Sequence, residues 1–173
     1  MGKRLLNRDL AVAILLLSCP PALLSQQYGV QLMPGSNITA SDGSEIAITD
    51  GSFVNDGSFI ALGASTVIFN GNTILEIGGA ETTAFSNLTV NNTAGISITG
   101  EAVTVSRILA CDGLLETNGK ITLLSGVEGT ALIDGARSGS ISGDVTMQRY
   151  LPTGFGYMYL SSPFTSATVG ELA

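Results

Sequence analysis

Past residue 28, apolar and polar positions alternate in short bursts separated by small polar residues. Glu45-Ile46-Ala47-Ile48-Thr49, Ser58-Phe59-Ile60-Ala61-Leu62, Thr66-Val67-Ile68-Phe69 and Thr73-Ile74-Leu75-Glu76-Ile77 set the form. Asn87-Leu88-Thr89-Val90, Gly95-Ile96-Ser97-Ile98-Thr99, Val103-Thr104-Val105 and Lys120-Ile121-Thr122-Leu123-Leu124 repeat it. Successive side chains of a strand point to opposite faces, so a period of two predicts strands with one face buried. No window beyond the N-terminal stretch carries an apolar stripe at helical spacing with a cap. The pattern predicts an all-β chain.

The breaks between the bursts are equally regular. Asp42-Gly43-Ser44, Asp50-Gly51-Ser52 and Asp56-Gly57-Ser58 are one tripeptide used three times, and Asn70-Gly71, Asp112-Gly113 and Asn118-Gly119 are of the same kind. Gly, Asn and Asp tolerate the left-handed backbone that a sharp corner requires. Short strands with frequent corners fit a β-sandwich of hairpins or a parallel β-helix, a β-solenoid that turns a corner after each strand. The solenoid is favoured. Trp is absent and aromatics are 6% of the chain, whereas a sandwich needs bulky residues between its sheets. Ile, Leu, Val and Ala can instead stack on their own kind from coil to coil. The spacing predicts roughly 20–25 residues per coil and about six coils over residues 26–149.

Residues 1–25 have another character. Lys3, Arg4 and Arg8 precede the apolar run Leu10–Leu17, and small residues and two prolines follow. This is the layout of a secretory signal peptide, and the run is too short to span a bilayer. Cleavage after Ser25 is one processing route. The other is lipidation of Cys19 in Leu16-Leu17-Ser18-Cys19, which would anchor the chain to the envelope. Without the leader, Arg107, Lys120, Arg137 and Arg149 stand against thirteen acidic residues, a net charge of −9. Such a surface repels phosphate backbones and argues against nucleic-acid binding. Cys111 is then the sole cysteine, in the apolar run Ile108–Cys111, so no internal disulfide forms.

Ala84-Phe85-Ser86-Asn87-Leu88-Thr89-Val90-Asn91-Asn92 followed by Gly95-Ile96-Ser97-Ile98-Thr99 resembles a repeat of large surface proteins of Bacteroidetes-type bacteria. Gly57-Ser58-Phe59, Val67 to Asn72 and Ile108 to Asn118 are similar to the same repeat's flanks. Gly143 to Pro152 and Leu160-Ser161-Ser162-Pro163 resemble the end of such an array, although Gly156-Tyr157-Met158-Tyr159 stands where the family often has Trp. The resemblance implies a secreted or surface-displayed, adhesin-like protein, often a cargo of type IX secretion. That route reads a C-terminal sorting domain, and none is visible, so the chain is expected either to be a segment of a larger molecule or to leave the cell by another system.

Candidate chemistry is sparse. A polysaccharide-cleaving β-helix needs carboxylates grouped on one face with Arg or Lys to stabilise charge. Asp42, Asp50, Asp56, Asp112 and Asp134 fall at corners, where turn chemistry accounts for them, and the basic residues are isolated in sequence. No histidine is present to activate Cys111 or any hydroxyl. The chain is read as non-enzymatic, with no cofactor. Asp50, Asn55 and Asp56 are the nearest approach to a calcium site, but neither the EF-hand loop nor the nonapeptide calcium repeat is present. The sequons at Asn37, Asn87 and Asn91 read better as corners and amide ladders. Tyr150, Phe155, Tyr157, Tyr159 and Phe164 form the densest aromatic group, in residues 150–173. They are expected to cap the array or to begin a following, truncated domain, with Tyr157 and Tyr159 as the residues that would stack on a glycan in the alternative reading. Partners in reach of such a surface are glycans or other cell-surface proteins.

Overall fold

The computed structural model describes residues 29–151. The leader with Cys19, and the aromatic segment with Tyr157 and Tyr159, lie outside the described residues.

The chain winds as a three-sided coil. The first coil is β1 (Val30–Leu32), β2 (Asn37–Ala40) and β3 (Glu45–Thr49). The second is β4 (Phe53–Asn55), β5 (Ser58–Ala61) and β6 (Thr66–Gly71). In the third, β7 (Leu75–Gly78) is followed by β8 (Thr83–Asn92), one long strand that serves both remaining sides. The fourth repeats this with β9 (Ile96–Ile98) and β10 (Val103–Cys111). The fifth has β11 (Leu114–Glu116) and β12 (Ile121–Leu123), then a hairpin of β13 (Ser125–Gly126) and β14 (Gly129–Thr130), then β15 (Leu132–Ile133). The sixth has β16 (Ser140–Ser142) and β17 (Val145–Met147).

Each side stacks in parallel. The first face runs β1-β4-β7-β9-β11-β16. On the second face β2 and β5 pair with each other, and β8, β10, β12 and β17 continue in register from Thr83 through Val103 and Ile121 to Val145. On the third face Glu45, Thr66, Asn87, Ile108 and Leu132 lie side by side. The step from Thr66 to Asn87 is 21 residues, inside the predicted coil length. A sandwich of hairpins is excluded among the described residues, because only β13 and β14 pair antiparallel. The fold is a β-solenoid of about six coils.

The alternating pattern places its apolar members inside. One column is Leu75, Ile96, Leu115 and the half-buried Ile141, and another is Ile48, Phe69, Val90 and Cys111. Burying each large side chain contributes about 1.5–3 kcal/mol. Few as they are, the phenylalanines are concentrated. Phe85 packs edge-on against Phe53 and Phe69, with ring centroids at 5.9 and 6.4 Å, and lies 5.6 Å from Phe59. Three of these rings come from the second coil and Phe85 from the third.

Two glycines show why the corners are written as they are. Gly79 sits at φ 108°, and a Cβ there would collide with the backbone of Asn55 in the coil before. A Cβ on Gly113 would collide with the carbonyl oxygen of Asn92. Coils separated by one strand spacing of about 4.8 Å leave no room for a side chain where the backbone turns.

Candidate functional site

The three Asp-Gly-Ser corners do more than turn the chain. Asp42 Oδ1 accepts from Ala64 N at 2.6 Å, Asp50 Oδ1 from Asn72 N at 2.9 Å, and Asp56 Oδ1 from Ala80 N at 2.9 Å. Each carboxylate satisfies a corner N–H of the following coil, a charge-assisted bond between backbone turns that otherwise have no ladder partner. Asn55 and Asn92 work from inside. Asn55 is fully buried, its Nδ2 donating to Thr82 O and Thr83 Oγ1 while its Oδ1 accepts from Gly57 N. Asn92, also fully buried, donates to Thr73 O and accepts from Ala94 N and Gly95 N.

The calcium candidates are therefore separated. Asp50 stands at the corner after β3, Asp56 at the corner after β4, and the Asn55 amide points into the interior with its oxygen engaged. Among the described residues no three His, Cys, Asp or Glu side chains are grouped to hold a metal ion. The asparagines behave as corner and ladder residues. Asn91 Nδ2 donates to Asn70 Oδ1 at 3.1 Å, a two-rung amide ladder, and Asn87 Nδ2 donates to Ala64 O and Ser65 O.

A shallow, open groove lies beside the first two coils, lined by the Pro34–Asn37 and Asp56–Ser58 turns and by Glu81. It offers two carboxylates and small hydroxyls, with Asp56 already bonded to Ala80 N.

Stacking does assemble one charged cluster that sequence separation hides. Arg137 Nη1 lies 3.0 Å from Asp112 Oδ2, and its Nε donates to Asp134 Oδ2 at 2.9 Å. Asp112 and Arg137 are 25 residues apart, about one coil, and that spacing was the available signal. The backbone N–H of Ala136, and then the Arg137 guanidinium, hold the Asp134 carboxyl below its ordinary value. A general acid needs the opposite shift. The cluster is a clamp between the corners after the fourth and fifth coils, stabilising above the unfolded carboxyl range and weakening as pH falls through the lowered value.

Beside it, the Cys111 thiol is buried and pushed up to about 11, by desolvation first and then by the charge of Asp112. At pH 8 the folded protein should therefore leave Cys111 unmodified by an aromatic disulfide reagent. Release of one equivalent of chromophore should appear only on unfolding, and stoichiometric reaction of the native chain would contradict the buried placement.

No protein-family profile, curated protein or solved structure matches the chain.

Proposed function

We propose that the chain is a non-catalytic structural module, secreted or displayed at the cell surface and adhesin-like in the sense of the family it resembles. The observation that supports this reading is where the polar side chains are spent. Asp42, Asp50, Asp56, Asn55 and Asn92 all fix one corner against another. A rod whose polar groups serve its own register holds a long surface at constant spacing, about 4.8 Å per coil. The basic start and apolar run of residues 1–25 support export, through cleavage after Ser25 or lipidation of Cys19. Type IX secretion is the route the resemblance implies, and surface glycans or neighbouring surface proteins are the partners.

Placement and role are tested separately. In the host cell, a Thr49→Cys variant labelled with a membrane-impermeant maleimide should react without lysis, since Thr49 is exposed and Cys111 is silent. Labelling only after lysis would remove the surface assignment. For the role, residues 29–173 are exchanged for an unrelated rigid solenoid of equal length. Cell attachment should survive. Loss of attachment, together with glycan-array binding that disappears in Tyr157→Ala and Tyr159→Ala, would instead establish the chain as a glycan-binding β-helix.

A further inference from the structure

The corner between the second and third faces differs from the other corners. Going along the rod it comprises Ser41–Ser44, Leu62–Ser65, Ser86-Asn87, Ser106-Arg107, the β13–β14 hairpin and Gln148–Tyr150. Cross-coil bonds align these segments. Ala64 N donates to Asp42, Ser86 Oγ to Gly63 O, Leu124 N to Val105 O, and Tyr150 N to Ser125 Oγ. The fourth coil is bulged here, between Val105 and Ile108, and the fifth inserts its hairpin at the same place.

Charge is divided along this edge. Asp42 and Glu45 lie on it in the first coil, Arg107 and Arg149 in the fourth and sixth, and Glu128 on the hairpin between those two. Of the four basic residues, Lys120 is bonded to Thr99 O and Gly100 O, and Arg137 to its two aspartates. Arg107 and Arg149 are exposed, form no ion pair among the described residues, and both lie on this edge, one on either side of the hairpin. Apolar side chains are exposed along this edge as well, as Met33, Ile60 and Ile74 are elsewhere on the rod. Leu62 is 48% exposed in the acidic half, and Ile108, Val127 and Leu132 are 46%, 74% and 61% exposed in the basic half. Exposed apolar groups rimmed by complementary charge mark an association surface rather than a solvated one.

We propose that this edge is a self-complementary interface along which two copies of the chain pair antiparallel. The symmetry is two-fold, with the axis between the third and fourth coils. The first coil of one copy then meets the sixth of the other, setting Asp42 and Glu45 against Arg149. The second meets the fifth, setting Leu62 against Val127 at the hairpin tip. The third meets the fourth, where Asn87 faces Arg107. Glu128, which shares the hairpin turn, faces the uncharged Leu62–Ser65 segment and meets no acid there. The first and sixth coils are about 24 Å apart along the axis, so both ends engage only in this orientation. A parallel pairing about a two-fold along the rod sets each charge against its own kind.

Sedimentation equilibrium of the full chain tests the pairing. A monomer–dimer equilibrium is expected, weakened by salt because the paired charges are exposed. Arg149→Glu and Val127→Asp should each raise the dimer dissociation constant about tenfold, and Glu45→Arg combined with Arg149→Glu should restore it. All of these side chains are on the surface, so an unchanged melting temperature checks that each variant is folded. In Leu62→Cys, Val127→Cys protein that also carries Cys19→Ser, mild oxidation should yield a covalent dimer, whereas either single variant in the same Cys19→Ser background should not. A monomer at every concentration, or a dimer indifferent to Arg149→Glu and Val127→Asp, overturns the proposal.

Discussion

Phe85→Ala is expected to be the most damaging single substitution, lowering stability by about 3–5 kcal/mol. Phe85 is 2% exposed and is the ring that touches Phe53, Phe59 and Phe69, so its removal strips three aromatic contacts at once. The cavity lies between β4, β5, β6 and β8, and the ladders on both sides of β4 and β6 keep those strands from closing over it. A fall of ~10–15 °C in Tm is the corresponding thermal signature. Phe85→Leu should recover more than half of the loss, because the methyl groups refill most of the volume. A Phe85→Ala protein that melts within 2–3 °C of the parent would show that the four rings do not form one packed unit.

Asn92→Ala comes next, at about 3 kcal/mol. The substitution removes little apolar burial, so the cost is almost wholly polar. Thr73 O loses a donor at 2.8 Å, Ala94 N loses an acceptor at 2.8 Å, and Gly95 N keeps only the backbone carbonyl of residue 92. The Asn92 amide itself is fully buried, so water replaces it poorly even though Thr73 is exposed. Asn92→Asp separates the roles of the two amide atoms. It keeps the acceptor for Ala94 and Gly95 but sets a carboxylate against the Thr73 carbonyl, so it should be as destabilising as Ala at pH 7 and milder when protonated at pH 4. Equal stability of Asn92→Asp and the parent at pH 7, measured by denaturant titration, would exclude the corner role assigned to this side chain.

Much of this fold is legible in the chain because a coil repeats one physical problem six times. The bursts at 45–49, 58–62 and 66–69 coincide with β3, β5 and β6, and the Asp-Gly-Ser tripeptides fall at corners. What local pattern conceals is continuity. Asn87–Val90 and Val103–Val105 read as short strands, yet they belong to β8 and β10, which run on because the corner between two faces is a gentle bend there. β1, β4 and β16 are three residues each, too short for alternation to announce them. Scarcity of aromatics, taken as an average, also conceals that four phenylalanines meet in one place. The same holds for function. Asp50, Asn55 and Asp56 are neighbours in sequence but occupy two corners and an interior position, whereas Asp112, Asp134 and Arg137 meet only after the chain has gone round. Proximity in a solenoid is counted in coils, and a reading along the sequence does not see it.

The placement of the phenylalanine cluster has a kinetic meaning as well. Every coil is bonded only to the coil above and the coil below, so order spreads along the rod from wherever it starts. The second and third coils hold all four rings and the buried Asn55 and Asn92, while among the described residues the sixth contributes the half-buried Ile141, Val145 and Met147. Amide exchange should then be graded instead of uniform, slowest around Phe69 and Leu88 and quickening toward β16 and β17. Under load the far coils of the described rod should therefore part before the second and third do.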